Sequence, residues 1–323
     1  MIDKVEIIGI GSSVPEKVVT NIDLEKVVET SDAWIKKRTG ISSRHVVTTD
    51  RAIDHAAAAS KKAIEFAGID SGEIGLIIAC TITSEQITPG MSSYVAKQVG
   101  VDCAMMDISA GCTGFITGLI SASSMMVTLN IDYALVVASE ALSKIADWSD
   151  RSTCVLFGDG AGAVLLKKSD VQRMSYPVLT GTRDYDDVLI FKKEDRKTPF
   201  GGADNPPPEY LRMDGREVFT YAVGAVEEAL KQMQTSCGDK PYTKVIAHQA
   251  NEKILDYVVR SIGMDKDQFF INISEYGNTS SATIPIAMCD AYEQGWLKKG
   301  DRVALVGFGS GLSCGGIVID WNL

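Results

Sequence analysis

Apolar and polar positions follow two alternating regimes along the 323 residues of this chain. Short apolar, β-branched runs read as strands at Val5–Ile10, Gly75–Cys80, Tyr133–Ala138, Thr153–Phe157 and Ala163–Leu166. Further runs follow at Lys244–Ala247, Arg302–Val306 and Gly316–Asp320. Between them, Ala52–Ala67 and Val218–Met233 repeat apolar residues at spacings of three and four, the period of a helix with one buried face. Strands alternating with helices imply βαβ units and sheets covered on both faces, so the chain reads as an α/β protein. Two halves echo each other, at 1–171 and 172–323. Each runs from a helix through an apolar strand to a loop of polar candidates, and then through another helix to a second strand. Gln172–Met213 breaks the pattern. It is rich in Asp, Lys, Gly and Pro, includes Pro206-Pro207-Pro208, and reads as a surface excursion where a substrate tunnel or lid is built.

The longest charge-free stretch, Ile108–Ile131, is long enough to span a membrane. Ser, Thr, Gly and Asn are scattered through it, so it reads as a loop followed by a buried helix. Met1–Glu6 carries charges where a signal peptide needs an apolar core. An apolar fraction of 45% and a charged fraction of 23% are those of a soluble globular protein. The net charge of -10 argues against a nucleic-acid partner, though a local basic cluster can still receive an anionic ligand. The seven cysteines contain no CxxC pair and read as reduced thiols in a cytoplasmic protein, with neither a disulfide framework nor a metal site.

Three residues have settings suited to chemistry. Cys112, in Asp107-Ile108-Ser109-Ala110-Gly111-Cys112-Thr113-Gly114, sits where small residues lead into a helix. A helix N-terminus favours a thiolate, and flanking glycines admit a substrate; the plain alternative is a small buried hydrophobe. His248 follows the strand Lys244–Ala247, where α/β folds carry active residues. His55, among alanines, reads as a helix-face residue, and His45 as a surface residue. Asn278 lies in the small-residue loop Gly277-Asn278-Thr279-Ser280-Ser281, as a reacting group or merely a turn residue. Gly158-Asp159-Gly160-Ala161-Gly162 and Gly307-Phe308-Gly309-Ser310-Gly311 lack a full nucleotide-loop fingerprint and read as tight turns or backbone donors.

Taken in order, these segments resemble the β-ketoacyl-acyl-carrier-protein synthase III family of condensing enzymes. The resemblance runs from Gly9 to Gly315. It is carried by Thr30-Ser31-Asp32-Ala33-Trp34 with Arg38-Thr39-Gly40-Ile41, the Cys112 segment, Phe157-Gly158-Asp159-Gly160-Ala161-Gly162-Ala163, His248-Gln249-Ala250-Asn251, Gly277–Ser281 and Gly307-Phe308-Gly309. It implies a five-layered αβαβα thiolase-like fold of two similar halves, usually a homodimer. It also implies the catalytic set Cys112, His248 and Asn278, with the backbone N–H groups of Cys112 and Ser310 as an oxyanion hole. Coenzyme A is expected near Trp34, Arg38, Arg151, Gly215, Phe219, Ala250, Asn251 and Lys253.

On this resemblance an acyl-CoA primer acylates Cys112, malonyl-acyl carrier protein loses carbon dioxide, and the enolate attacks the acyl group. No metal or cofactor is called for, and fatty-acid synthesis is thereby initiated. Carrier-protein docking is expected at Lys36, Lys37, Arg212 and Lys253. Three departures from the family pattern stand out: Ser310 within the usual run of glycines, Lys253 for an arginine, and Thr88 where relatives carry a phenylalanine closing the acyl pocket. Thr88 suggests a primer longer or bulkier than acetyl. Alternative readings on the same scaffold are a condensing enzyme or acyltransferase of secondary metabolism or biotin-precursor synthesis, and a non-catalytic acyl-CoA-binding protein.

Overall fold

A computed structural model describes residues 4–184, 186–192, 199 and 210–323. Strand periodicity builds two large sheets. The first has the order Val5–Ser13, Asp159–Lys168, Tyr133–Ala141, Ile74–Cys80, Ala104–Ile108; its last two pairings are parallel. The second has the order Lys244–Ala247, Arg302–Gly309, Ser313–Asp320, Met174–Gly181, with only the first pairing parallel. The change of sheet comes between Lys168 and Met174.

Alternation along each strand sends residues to different layers. Ile77, Ala79, Leu135 and Val137 pack outward under the helices Ala52–Ala67 and Met91–Val99. Their neighbours Leu76, Ile78 and Val136 face inward and join Ile246, Val303, Leu305 and Ile317 of the second sheet in one shared core. The helices Gly114–Leu129 and Thr283–Glu293 fill the space between the sheets. On the far side, Val245, Ala247, Ala304 and Val306 pack against Gly215–Cys237 and Glu252–Ile262. Five layers result, αβαβα, as expected. The charge-free stretch becomes the middle-layer helix, touching strands of both sheets, which accounts for a composition that passes for a membrane span. All seven cysteines are free thiols.

Three local expectations need correction. Thr153–Phe157 is a run of turns ending in a single bridge from Phe157 to Asn278. Asp150 draws the chain into turns there by accepting from the Ser152 N–H and hydroxyl and from the Thr153 hydroxyl. Within Gln172–Met213, the strand Met174–Gly181 forms the edge of the second sheet; it contains Pro177, which an edge strand tolerates and which masks the signal. Pro206-Pro207-Pro208 lies outside the described residues. His45 is half-buried rather than on the surface, stacked on Tyr276 with ring centroids 5.6 Å apart. His55 does lie on the helix Ala52–Ala67, with its ring between Ser13 and Asp50.

Candidate active site

The strand Ala104–Ile108 delivers the chain into a single turn, Gly111–Thr113, that runs on as the helix Gly114–Leu129. Cys112 is the middle residue of that turn. Gly111 is left-handed, with φ 52°, and a Cβ there would lie 2.3 Å from the Ser310 hydroxyl. The end of the strand Arg302–Gly309 crosses directly over the turn: a Cβ on Gly309 would stand 2.9 Å from Cys112 Cβ and 3.0 Å from its nitrogen. The C-terminal glycines therefore serve close approach to the cysteine and form no nucleotide loop. Gly158 works similarly, since a Cβ there would strike the Tyr276 carbonyl at 2.2 Å. Asp159 beside it accepts from the backbone N–H groups of Val47 and Ser143, so that motif knits elements together.

Protein surrounds the Cys112 thiol except where it opens to the cavity. Burial pushes its pKa up to about 12, and the Ser280 hydrogen bond opposes this. Burial thus opposes the helix N-terminus expected to favour the thiolate. Its hydrogen-bond partner is Ser280, with Sγ to Oγ at 3.4 Å.

His248 leaves the end of Lys244–Ala247 with its N–H on the Val306 carbonyl, and its ring is buried against Phe308. Desolvation depresses its pKa to about 3, so the ring is neutral. Its Nδ1 lies 2.7 Å from the Thr283 hydroxyl. Asn278 is held by its backbone between Leu156 and Gly158, and its Oδ1 accepts the Ser280 N–H at 2.8 Å. With that oxygen occupied, the amide's donors are the group left for a ligand.

Cys112, His248 and Asn278 all line one cavity of about 1440 Å³. Trp34, Lys37, Arg38, Arg216 and Lys253 also line it, while Leu142, Phe157, Leu189, Ile190 and Met213 supply apolar wall. Among the described residues no group of three or more His, Cys, Asp or Glu side chains is placed to hold a metal ion.

The profile described as 3-oxoacyl-(acyl-carrier-protein) synthase III matches residues 106–180, and its C-terminal counterpart matches 234–321. A β-ketoacyl-(acyl-carrier-protein) synthase III of Clostridium acetobutylicum is 41% identical over 325 residues, covering 99% of each chain. This chain belongs to the 3-oxoacyl-(acyl-carrier-protein) synthase III family. The crystal structure of the 3-oxoacyl-(acyl-carrier-protein) synthase III of Aquifex aeolicus VF5 superposes with a TM-score of 0.89 at 36% identity, covering 98% of this chain and 100% of that one. The synthase III structure from Thermus thermophilus gives 0.91 at 33%, over 98% and 99%.

Within this synthase III chain, most of the expected site residues meet at the cavity. Gly215, Phe219, Ala250, Asn251 and Ser310 line it with the groups above. Arg151 lies just outside, its guanidinium 5.3 Å over the Trp34 ring while Nη1 donates to the Glu29 carbonyl. Thr88 is exposed and does not line the cavity of this chain; its neighbour Ile87 does. Lys36 pairs with Asp32 at 2.9 Å rather than lining the cavity, and Arg212 is exposed in the two-residue strand Arg212–Met213. Sequence reasoning missed Ser280 and Thr283 as partners of these groups, and Glu140, whose Oε1 accepts from the Ser280 hydroxyl at 3.2 Å. The signal for Glu140 was present: one charge at the end of the apolar run Tyr133–Ala141.

Proposed function

We propose that this synthase III makes a β-ketoacyl-acyl carrier protein by decarboxylative condensation of an acyl-CoA primer with malonyl-acyl carrier protein, through an acyl-enzyme on Cys112. The convergence of Cys112, His248 and Asn278 on one cavity carries the reading. Cys112 Sγ attacks the thioester carbonyl, and coenzyme A departs. The new oxyanion is received by the backbone N–H groups of Cys112 and Ser310. Malonyl-acyl carrier protein then loses carbon dioxide while His248 and Asn278 donate to the enolate oxygen.

Thr283 supports the donor role of His248. The Thr283 hydroxyl lies 2.7 Å from Nδ1 and 3.1 Å from the Ser280 carbonyl, either of which it can reach as a donor; donating to Nδ1 leaves the ring proton on Nε2, the tautomer the donor role requires. Asn278 is oriented in the same sense by its occupied Oδ1. Thiol, imidazole and amide suffice for these steps; the reading calls on no metal or redox cofactor.

Trp34 with Arg151 across its face receives the adenine end of coenzyme A, and Arg38 and Lys253 receive its phosphates. Lys36, Lys37, Arg212 and Lys253 offer the acidic carrier protein a basic approach. The apolar wall suits a primer longer or bulkier than acetyl. The reaction runs in the cytoplasm and initiates fatty-acid synthesis. Two copies pair along the strand Ala104–Ile108, which is hydrogen-bonded on one edge only and leaves Met105 and Met106 42% and 38% exposed. Light scattering on the wild type and on Met105→Lys tests the pairing: a dimer and a monomer are expected.

Intact-protein mass spectrometry after incubation with a panel of acyl-CoAs, beside Cys112→Ala, tests the reaction. Acyl mass gained by the wild type and missing from the variant supports it and ranks the primers. No adduct with any acyl-CoA overturns it, and acetyl outcompeting hexanoyl- and branched acyl-CoA overturns the primer claim alone.

A further inference from the structure

Behind Cys112, on the side away from the cavity, stands a carboxylate with no assigned part in the chemistry. Glu140 ends the apolar run of the strand Tyr133–Ala141 and is 1% exposed. Five neutral donors converge on it. Oε2 accepts from the Thr83 hydroxyl at 2.6 Å, the Ile82 N–H at 3.1 Å and the Thr81 hydroxyl at 3.2 Å. Oε1 accepts from the hydroxyls of Ser281 at 2.8 Å and Ser280 at 3.2 Å. Among the described residues no cation pairs with it; burial raises its pKa, and the Thr83, Ser281, Ile82 and Thr81 donors oppose that.

A buried carboxylate with no cation beside it is costly even when hydrogen-bonded. What the carboxylate offers beyond an amide is the capacity to take up a proton. Ser280 connects it to the sulfur: its Oγ is 3.4 Å from Cys112 Sγ and 3.2 Å from Glu140 Oε1. Among the described residues Ser280 is also one of four non-glycine residues with positive φ, at 51°. That conformation is held by the Ser280 N–H donating to Asn278 Oδ1.

We propose that Ser280 and Glu140 form a proton relay for Cys112. As the sulfur attacks, the thiol proton passes to Ser280 Oγ while the Ser280 proton passes to Glu140 Oε1. This leaves a thioester at sulfur and a neutral carboxylic acid at Glu140. The departing coenzyme A thiolate takes its proton from water at the cavity mouth. When the enolate displaces Cys112 in the condensation, the same path runs backwards, and Glu140 returns the proton to the leaving thiolate. One proton is stored and returned per cycle.

Burial raises the pKa of both ends, so the thiol needs a nearby acceptor and the carboxyl is able to hold the proton. Cys80 is the other titratable group facing Glu140, and burial keeps that thiol neutral. The cycle rests on the acyl-enzyme reading above; the thiol's activation can be read without acyl transfer.

The test follows alkylation of Cys112 by iodoacetamide, by intact mass, between about pH 6 and 9. The comparison is of wild type, Glu140→Gln, Ser280→Ala and Ser281→Ala. Ser281→Ala removes an equivalent hydroxyl from Glu140 without touching the sulfur. Expected is a loss of about 10²-fold near neutral pH in Glu140→Gln and Ser280→Ala, with rates climbing about tenfold per pH unit as hydroxide replaces the relay. Ser281→Ala should keep the wild-type profile. Infrared difference spectra of the acyl-enzyme should add a neutral-carboxyl band that Glu140→Gln lacks. Wild-type pH dependence in Ser280→Ala, or equal losses in both serine variants, would overturn the relay. If wild type alkylates as expected yet accepts no acyl group, the acyl-enzyme reading fails while the relay to the thiol stands.

Discussion

The two sides of the cavity are built by different physics. The cysteine side is set by close backbone packing: Gly111 and Gly309 leave no room for a Cβ between the Cys112 turn and the C-terminal strand. The His248 and Asn278 side is set by hydrogen bonds, in which Thr283 holds Nδ1 and the Ser280 N–H occupies Oδ1. A nucleophile must sit at one point, which steric contact enforces well. A donor must point in one direction, and a saturated opposite edge enforces that best. Substitutions on the two sides should therefore fail differently.

The largest separation is expected from Asn278→Ala. Losing the oriented amide should slow carbon dioxide release from malonyl-acyl carrier protein by about 10²–10³-fold, while the mass adduct on Cys112 still forms from acyl-CoA. Gly309→Ala should show the reverse. Its Cβ displaces the Cys112 turn, so single-turnover acylation should fall by about 10²-fold, with a lower melting temperature. If both variants lose both half-reactions equally, the division of labour is wrong. Thr283→Val removes the hydroxyl that meets Nδ1 and the Ser280 carbonyl; condensation should slow about tenfold with acylation spared.

A smaller effect concerns stability. His248 is depressed from its ordinary 6.5 to about 3 on folding, so between those values the unfolded chain binds the proton and the folded one does not. The contribution of the neutral ring is complete above about pH 6.5 and is lost as pH falls, by up to about 1.4 kcal/mol per unit. Denaturant titrations of wild type and His248→Asn should diverge in slope over that window. The smallest effect expected is Arg151→Ala, which removes a solvent-exposed contact with Trp34 worth about 0.5–1 kcal/mol. A rise of a few-fold in KM for acyl-CoA with kcat unchanged should follow.

Much of this was legible along the chain, because period-2 and period-3.6 patterns report directly which face of an element is buried. Ala52–Ala67 coincides with its helix, and the strand Lys244–Ala247 with its run. Where side chains bonded to their own backbone or an edge strand carried a proline, as at Asp150 and Pro177, the local pattern misled. Cys112 and Asn278 stood in segments of small residues, which mark places where something approaches closely, and His248 stood at the end of an apolar strand. Ser280 shares the small-residue loop of Asn278, but a hydroxyl there reads as a turn residue, and Thr283 carried no mark at all.

By itself the sequence determined the layered α/β architecture, the order of the motifs and the cysteine, histidine and asparagine worth asking about, because burial period and residue type are local properties. Only the tertiary structure decided that segments 200 residues apart meet beside the Cys112 turn, as the hydroxyls of Thr113 and Ser313 do at 3.0 Å. It alone decided that burial opposes the helix terminus at Cys112, and that Glu140 lies behind Ser280. Desolvation and hydrogen-bond saturation depend on everything that surrounds a group, and what surrounds it is brought there by the fold.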